Sequence, residues 1–591
     1  MDSLRPREIT FMFNKPNVAA VAFSVAILLA PPTYPQSRTA RSGMGHVLLI
    51  SIDGMHALDY LNCVSAGYCP HLAALGTTGV NYTRTSTSQP SDSFPGLMAL
   101  VTGGTPKTVG AFYDVAYDRV LAPPMNTTGN GLAGGPCVQQ VPNGTTTEYE
   151  EGVEINQTLL NGGGPYGPTD GGILSIDPTR LPRDPFNRCQ PVYPWNFIRT
   201  NTIYGVIHAA GGYTAWSDKH AVYDAVGGPT GTSAQPNVDD YYSPEVNSNA
   251  TALPGVITAD GQSCSVPGTP PTPPDNNGGD WTTSFLNIKC YDQLKVNAIV
   301  NEINGQNHLG TSSAPVPNIL GMNFQAVSVG QKLIEKGVKG GYSDAAGTPT
   351  ANMKSEIVFV DAAIGQMVAA LQKQDLLSDT VIVVTAKHGQ SPIDTNRFMP
   401  IGSTSPANLL AAAGLIPASE SPLTPGGIGP TEDDISQLWL VPNANVPMAL
   451  GILESNAAAA GIGQIFYGSS LLTMFNSPGL PTAGGPCCAL LPGGDPRTPD
   501  IIVQPNVGVV YTGSTKKQAE HGGFAHDDTN VILLVSNPNL QPATVTSFVE
   551  TTQVAPTILQ VLGLSPASLQ AVQAEGTPVL PGLNNFTLVA H

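Results

Sequence analysis

The sequence predicts an α/β fold with a mostly parallel central sheet and helices on both faces, and three observations carry that expectation. Runs such as HVLLISIDG (46–54) and NVILLVS (530–536) are apolar at successive positions, as in strands buried on both sides. Segments of helical period alternate with these runs along the chain, with three interruptions. Polar residues with chemical potential follow the runs directly, at the strand ends where open parallel sheets place their sites.

In chain order, HVLLISIDG reads as a buried strand ending in Asp53, and PHLAALGTTG (70–79) as a helix. QPSDSFPGLMALVTGG (89–104) places Ser91 and Ser93 in a polar turn before an apolar helix. NTIYGVIHAAGGYTAW (201–216) reads as helix then strand, followed by Asp218, Lys219 and His220. NILGM (318–322) is a strand, with Asn323 and Gln325 beyond it. Residues 353–389 form a helix and a strand ending at Lys387-His388-Gly389, and TTQVAPTILQVLGL (551–564) is a late helix. Asp361, on the 353–374 helix, reads as a structural or capping carboxylate.

The alternation resumes after each interruption. The expected organisation is therefore a signal and leader over 1–40, then one catalytic domain over 45–591. Its insertions fall at about 115–195, 225–285 and 391–510, the last expected to mix loops with short helical pieces. The insertions follow from 64 glycines and 54 prolines, which favour long ordered loops.

A net charge of −18 with no basic run excludes nonspecific nucleic-acid binding. It also means that an anionic substrate must be attracted by local groups. Arg5, Arg7 and Lys15 precede the apolar run at 18–30, the pattern of an export signal, with an uncleaved anchor as the alternative. No later stretch reads as a membrane span. The eight cysteines fit an oxidising compartment, and Cys63 and Cys69 are spaced to close a short loop. Oligomeric state is not readable from the sequence.

Asp53, Ser93, His388 and His521 (in AEHGGFAHDD) fall at or just beyond predicted strand ends. Asp, His and a deprotonated hydroxyl suit zinc, manganese or calcium. The N-terminus of a helix over 95–101 adds backbone donors for an anion.

In order, HVLLISIDGMH, PSDSFPGLMALVTGG, TVIVVTAKHGQ, AEHGGFAHDD and VAPTILQVLGL resemble the successive blocks of the alkaline phosphatase superfamily. The nearest branch is the type I phosphodiesterase/nucleotide pyrophosphatase group. The resemblance implies an alkaline phosphatase-like fold, a phosphate ester as substrate and one or two divalent ions, zinc first. It implies Ser93 as nucleophile, because Ser93-Phe94-Pro95 matches the nucleophile block, and leaves Ser91 as a capping or turn hydroxyl. Asp53, Ser93, His388 and His521 are the implied metal ligands, and Asp114 is the nearest counterpart of a phosphate-holding Asn.

The departures are equally specific. Lys387 stands where the family has a metal-binding Asp, Asn323 where it has another Asp, and Val327 where it has a His. Lys387 is thus a catalytic candidate able to bind a phosphoryl oxygen, as the lysine of sulfatase-like relatives does. Asp218, Lys219, His220, Asn323 and Gln325 are substrate-binding candidates. Glu520 is expected to orient His521, and His526, Asp527 and Asp528 offer further ligands. The leading expectation is an exported, metal-dependent phosphoric ester hydrolase acting through a seryl-phosphate. The alternatives are a phosphonate or sulfate ester hydrolase using one metal plus Lys387, or a binding protein on a degenerate hydrolase scaffold.

Overall fold

A computed structural model describes residues 43–149, 175–230, 237–244, 246, 253, 255–264, 282–475 and 495–583. The expected export segment and Cys487-Cys488 lie outside the described residues. The main sheet contains β1 (His46–Ile52), β2 (Gly79–Tyr82), β3 (Ala215–Ser217), β4 (Asp240–Tyr242), β5 (Ile319–Phe324), β6 (Thr380–Thr385), β7 (Leu534–Ser536) and β8 (Ala543–Val545). Their spatial order is β8-β2-β7-β6-β1-β5-β3-β4. β7 runs antiparallel to β6 and β2, and every other pairing in this sheet is parallel. The mostly parallel expectation holds, with one reversed strand.

β1 shows why its sequence is apolar throughout. Val47 and Leu49 enter one core while Leu48, Ile50 and Ile52 enter the other, because successive strand side chains point to opposite faces. Helices α1 (Ser93–Thr102), α2 (Ile203–Ala209) and α6 (Val554–Val561) supply the first core. The second is supplied by α3 (Phe285–Ile303), α5 (Ala351–Lys373) and, beside them, α4 (Ala326–Lys332).

By length and composition α5 could cross a membrane, contrary to the expectation that no later segment would. Its apolar residues Met353, Ile357, Val360, Ile364 and Met367 instead pack into the sheet core. Asp361 on the same helix accepts the backbone N–H groups of His71 (3.2 Å) and Leu72 (2.7 Å). It therefore caps Pro70–Gly76, a neighbouring helix, rather than its own.

The 391–510 insertion differs from its sequence reading. It holds an antiparallel sheet of Thr431–Glu432, Ser436–Leu438, Ile501–Pro505 and Ile462–Tyr467. Leu410, Leu438, Leu453, Ile501 and Val503 form a core of its own. Two of its strands are only two and three residues long, and Ile501–Pro505 pairs with segments tens of residues upstream, so no local alternation announces the sheet. Disulfides join Cys63 to Cys69, Cys137 to Cys189 and Cys264 to Cys290.

Candidate functional site

Four adjacent parallel strands, β6, β1, β5 and β3, end together, and in-register pairing brings their last residues level. Ser51 of β1 faces Asn323 of β5 on one side and Thr385 of β6 on the other. The loops that follow are stitched by backbone bonds: Asp53 N–H donates to Phe324 O (3.0 Å) and Gly54 N–H to His388 O (3.0 Å). One edge thereby gathers Asp53, Asn323, Gln325, Asp218, Lys219, Lys387 and His388.

α1 aims its N-terminus at this edge. Gly96 permits the approach, since a Cβ there would lie 2.2 Å from the Lys387 carbonyl oxygen. Asp92 is the N-cap residue and Ser93 the first residue of the helix. Ser91 does not cap it. Its hydroxyl donates to the Asp528 carbonyl (2.6 Å) and accepts from Thr87 Oγ1 (2.7 Å), tying the turn to the 525–529 segment.

Ser93 Oγ lies 3.2 Å from His388 Nε2 and 3.3 Å from Lys219 Nζ. His388 Nδ1 lies 2.9 Å from the Gly389 carbonyl, which accepts only from a protonated Nδ1 and so leaves Nε2 as a lone-pair acceptor toward Ser93. Asp53 Oδ2 accepts from Gln325 Nε2 (2.7 Å) and Asn323 Nδ2 (3.2 Å), with Lys387 Nζ and His388 Nε2 each at 3.5 Å. Lys387 Nζ also lies 3.4 Å from Asp218 Oδ1 and 4.4 Å above the Tyr223 ring. Asp218 is held by Trp216 Nε1 (3.0 Å) and the Lys219 N–H (2.8 Å). His220 starts the next turn and stacks on Tyr223 at 6.0 Å. The Gln325 and Ala326 N–H groups are fastened by Asp292 Oδ2 at 2.8 and 2.7 Å, which sets the Gln325 turn.

On the other side of Ser93, His521 packs ring to ring with His388, centroids 3.9 Å apart. Its Nδ1 lies 3.1 Å from Asp92 Oδ1, while Asp92 Oδ2 accepts the Asp114 N–H (2.9 Å). Glu520 does not orient His521 as expected. Its carboxylate pairs with Lys332 and Lys517, because adjacent residues on an extended segment face opposite ways. Asp527 and Asp528 are likewise occupied elsewhere: Asp527 Oδ2 accepts the Ile393 N–H (3.0 Å), and Asp528 interacts with Asp434 and Ser391. His526 lines a separate cleft with His56 and Arg397.

Electrostatics follow from burial. Burial would raise the Asp53 carboxyl, but Lys387, His388 and Lys219 outweigh it and hold the group well below the usual carboxylate range. Lys219 is lowered to about 7, first by burial and then by Lys387. His388 and His521 are each lowered to about 4, chiefly by burial, so both imidazoles are neutral at pH 7. Asp114 is raised to about 7 by burial and by Asp92 beside it. Asp114, Lys219, His521 and Gln325 keep 7–8% of their surface exposed, while Ser93 is fully buried.

Two participants escaped the sequence reading. Asp92 stands next to Ser93 in PSDSFP, and an acidic residue at a helix N-terminus was a usable signal. Tyr223 carried none, since its ring reaches Lys387 only through the tertiary fold.

The residues do not fit the two-ion arrangement that the resemblance implies. Asp53 Oδ1 accepts no hydrogen bond and, with His388 and Ser93, is the remnant of one ligand set. The carboxylate needed to complete that set is Lys387, whose ammonium approaches Asp53 from the same side as His388. For the second ion only His521 remains, opposite Asn323 and Val327, and it is turned toward Asp92. Among the described residues no group of three His, Cys, Asp or Glu side chains is arranged to hold a metal ion.

The type I phosphodiesterase/nucleotide pyrophosphatase family model matches residues 47–163 and 334–415. Those segments contain Asp53, Ser93, Asp114, Lys387 and His388, and omit Lys219 and His521. No curated protein sequence matches the chain. Among solved structures, an engineered variant of the alkaline phosphatase PafA is similar at 12% identity over 88% of this chain and 96% of that one, with a TM-score of 0.51. Murine ectonucleotide pyrophosphatase/phosphodiesterase 5 is similar at 14% identity over 88% and 96%, TM-score 0.49, and the human protein at 12% over 88% and 95%, TM-score 0.47. The chain has the alkaline phosphatase fold and carries the type I phosphodiesterase signature, which together support a phosphoester hydrolase.

Proposed function

For a chain with this fold and this signature, we propose hydrolysis of a phosphoric ester through covalent catalysis at Ser93. The observation that carries the reading is Ser93 Oγ, the first hydroxyl of a buried helix N-terminus, held 3.2 Å from His388 Nε2 and 3.3 Å from Lys219 Nζ. A nucleophile, a base and a cation meet at one atom.

His388 Nε2 takes the Ser93 proton as Oγ attacks phosphorus. The ester P–O bond breaks, and the leaving alkoxide takes a proton from solvent at the mouth. The α1 N-terminus and the Lys219 and Lys387 ammoniums stabilise the charge developing on the phosphoryl oxygens. Water then attacks the phosphoserine, the P–Oγ bond breaks and Ser93 recovers its proton. His521, held against Asp92, is placed to bind that water or the leaving oxygen. Three disulfides support an exported protein.

The test is turnover of 4-nitrophenyl phosphate and bis(4-nitrophenyl) phosphate by wild type and Ser93→Ala, with mass spectrometry of the acid-quenched wild type. Loss of turnover in the variant and a phosphoryl adduct at Ser93 are expected. A Ser93→Ala protein as fast as wild type on either ester would overturn the reading.

A further inference from the structure

The residue standing where the family has a metal-binding carboxylate is itself a cation, and a second lysine stands beside it. Lys387 Nζ and Lys219 Nζ lie 4.4 and 5.8 Å from the centroid of the same Tyr223 ring. They come from loops after different strands, β6 and β3, so the fold converges them on one point. Lys387 is fully buried and Lys219 nearly so. Two ammonium groups this close repel one another, and burying them is costly unless negative charge lies nearby. Asp53 and Asp218 supply it to Lys387 at 3.5 and 3.4 Å, and Asp53 and Asp114 act on Lys219, whose Nζ lies 3.3 Å from Ser93 Oγ.

From this geometry we infer that Lys219 and Lys387 form an oxyanion cradle that holds the phosphoryl oxygens without a divalent ion. The inference rests on the hydrolase reading for its substrate and goes beyond it in the cation it assigns. The donor set agrees. Asp53 Oδ2 accepts from the Asn323 and Gln325 carboxamides and lies 3.5 Å from the Lys387 ammonium. Each donor suits a carboxylate or an oxyanion, and lysine's ammonium cannot ligate a metal. Where the resemblance implies two ions, the chain offers two point charges. The carboxamides of Asn323 and Gln325 hold Asp53 in place, and Asp53 in turn holds Lys387. Lys387 and Lys219 are thus catalytic residues, and Asp53 a positioning residue.

Calorimetric titration of the full chain with inorganic phosphate tests this, before and after exhaustive dialysis against EDTA, with metal content measured on both samples. Dialysed wild type is expected to bind phosphate within about twofold of the untreated protein. Lys219→Met and Lys387→Met should each weaken binding at least about tenfold, the loss of one charge-assisted hydrogen bond. Lys219→Met, from a different loop, keeps the test open if Lys387→Met fails to fold. An affinity unchanged in Lys219→Met would overturn the cradle. So would stoichiometric zinc whose removal abolishes phosphate binding and whose return restores it, and ester turnover following the zinc would leave the hydrolase reading intact. Metal-independent, lysine-dependent phosphate binding with no ester turned over and no phosphoserine would support the cradle and refute the hydrolase reading.

Discussion

Replacing Lys387 by Met removes the charge around which the site is built. Its ammonium is fully buried between Asp53 Oδ2 at 3.5 Å and Asp218 Oδ1 at 3.4 Å. At an effective dielectric near 20, each attraction is roughly 5 kcal/mol, most of it offset by the cost of taking three charges out of water. Breaking such an arrangement by deleting one partner costs about 3–5 kcal/mol, because the surviving carboxylates stay buried and uncompensated. Asp53 keeps Asn323 and Gln325 as donors, and Asp218 keeps Trp216 and the Lys219 N–H. The double variant Lys387→Met/Asp218→Asn should therefore recover roughly 1–2 kcal/mol by removing one orphaned charge. Urea unfolding at pH 7 measures both. The pH dependence has a defined sign. Asp53 is held well below the usual range, so its contribution is present above the unfolded-state value and is lost as pH falls through the folded one. The gap between wild type and Lys387→Met should be widest near neutrality and narrow on acidification. A variant within about 1 kcal/mol of wild type at pH 7, or a double variant less stable than the single, would refute the reasoning.

Three further outcomes follow from particular contacts. Asp361→Ala leaves the His71 and Leu72 N–H groups without their acceptor and should destabilise by about 1–2 kcal/mol in the same assay, with turnover unchanged. Gly96→Ala places a Cβ 2.2 Å from the Lys387 carbonyl oxygen, which pushes α1 away from the strand ends; kcat should fall on the order of 10–100-fold, measured beside the melting midpoint. Asp528 is raised to about 7 by burial, so folding takes up a proton and its contribution declines as pH rises from about 4 toward 7. Asp528→Asn should flatten that decline in melting curves recorded across the interval, and an identical slope in both proteins would sink the assignment.

Much of the fold was legible because burial on both faces of β1 and β6 leaves a continuous apolar run, and such a run ends where polar residues begin. That boundary marks Asp53, Lys387 and His388 as candidates, whereas Ser93 is separated from Ser91 only by the resemblance of Ser93-Phe94-Pro95 to a nucleophile block. Glu520 was misjudged because sequence adjacency to His521 says nothing of which way each side chain points. The 391–510 insertion has the short helices expected of it, but its sheet was not legible because Ile501–Pro505 pairs with strands tens of residues away. α5 has the composition of a membrane span, and only its burial against the sheet separates the two outcomes.

The order of strands and helices, the strand-end positions of the polar residues and the lysine at a ligand position were determined by the sequence alone, because periodicity and residue type are local properties. The tertiary structure decided what those residues face. In-register pairing of four parallel strands set Lys387 between two aspartates, and the loops and helix packed on the strand ends brought Lys219 to Ser93 and His521 to Asp92. The physical reason is that charge and hydrogen bonding act over a few ångströms of space, and residues hundreds of positions apart come within that range only when the sheet forms.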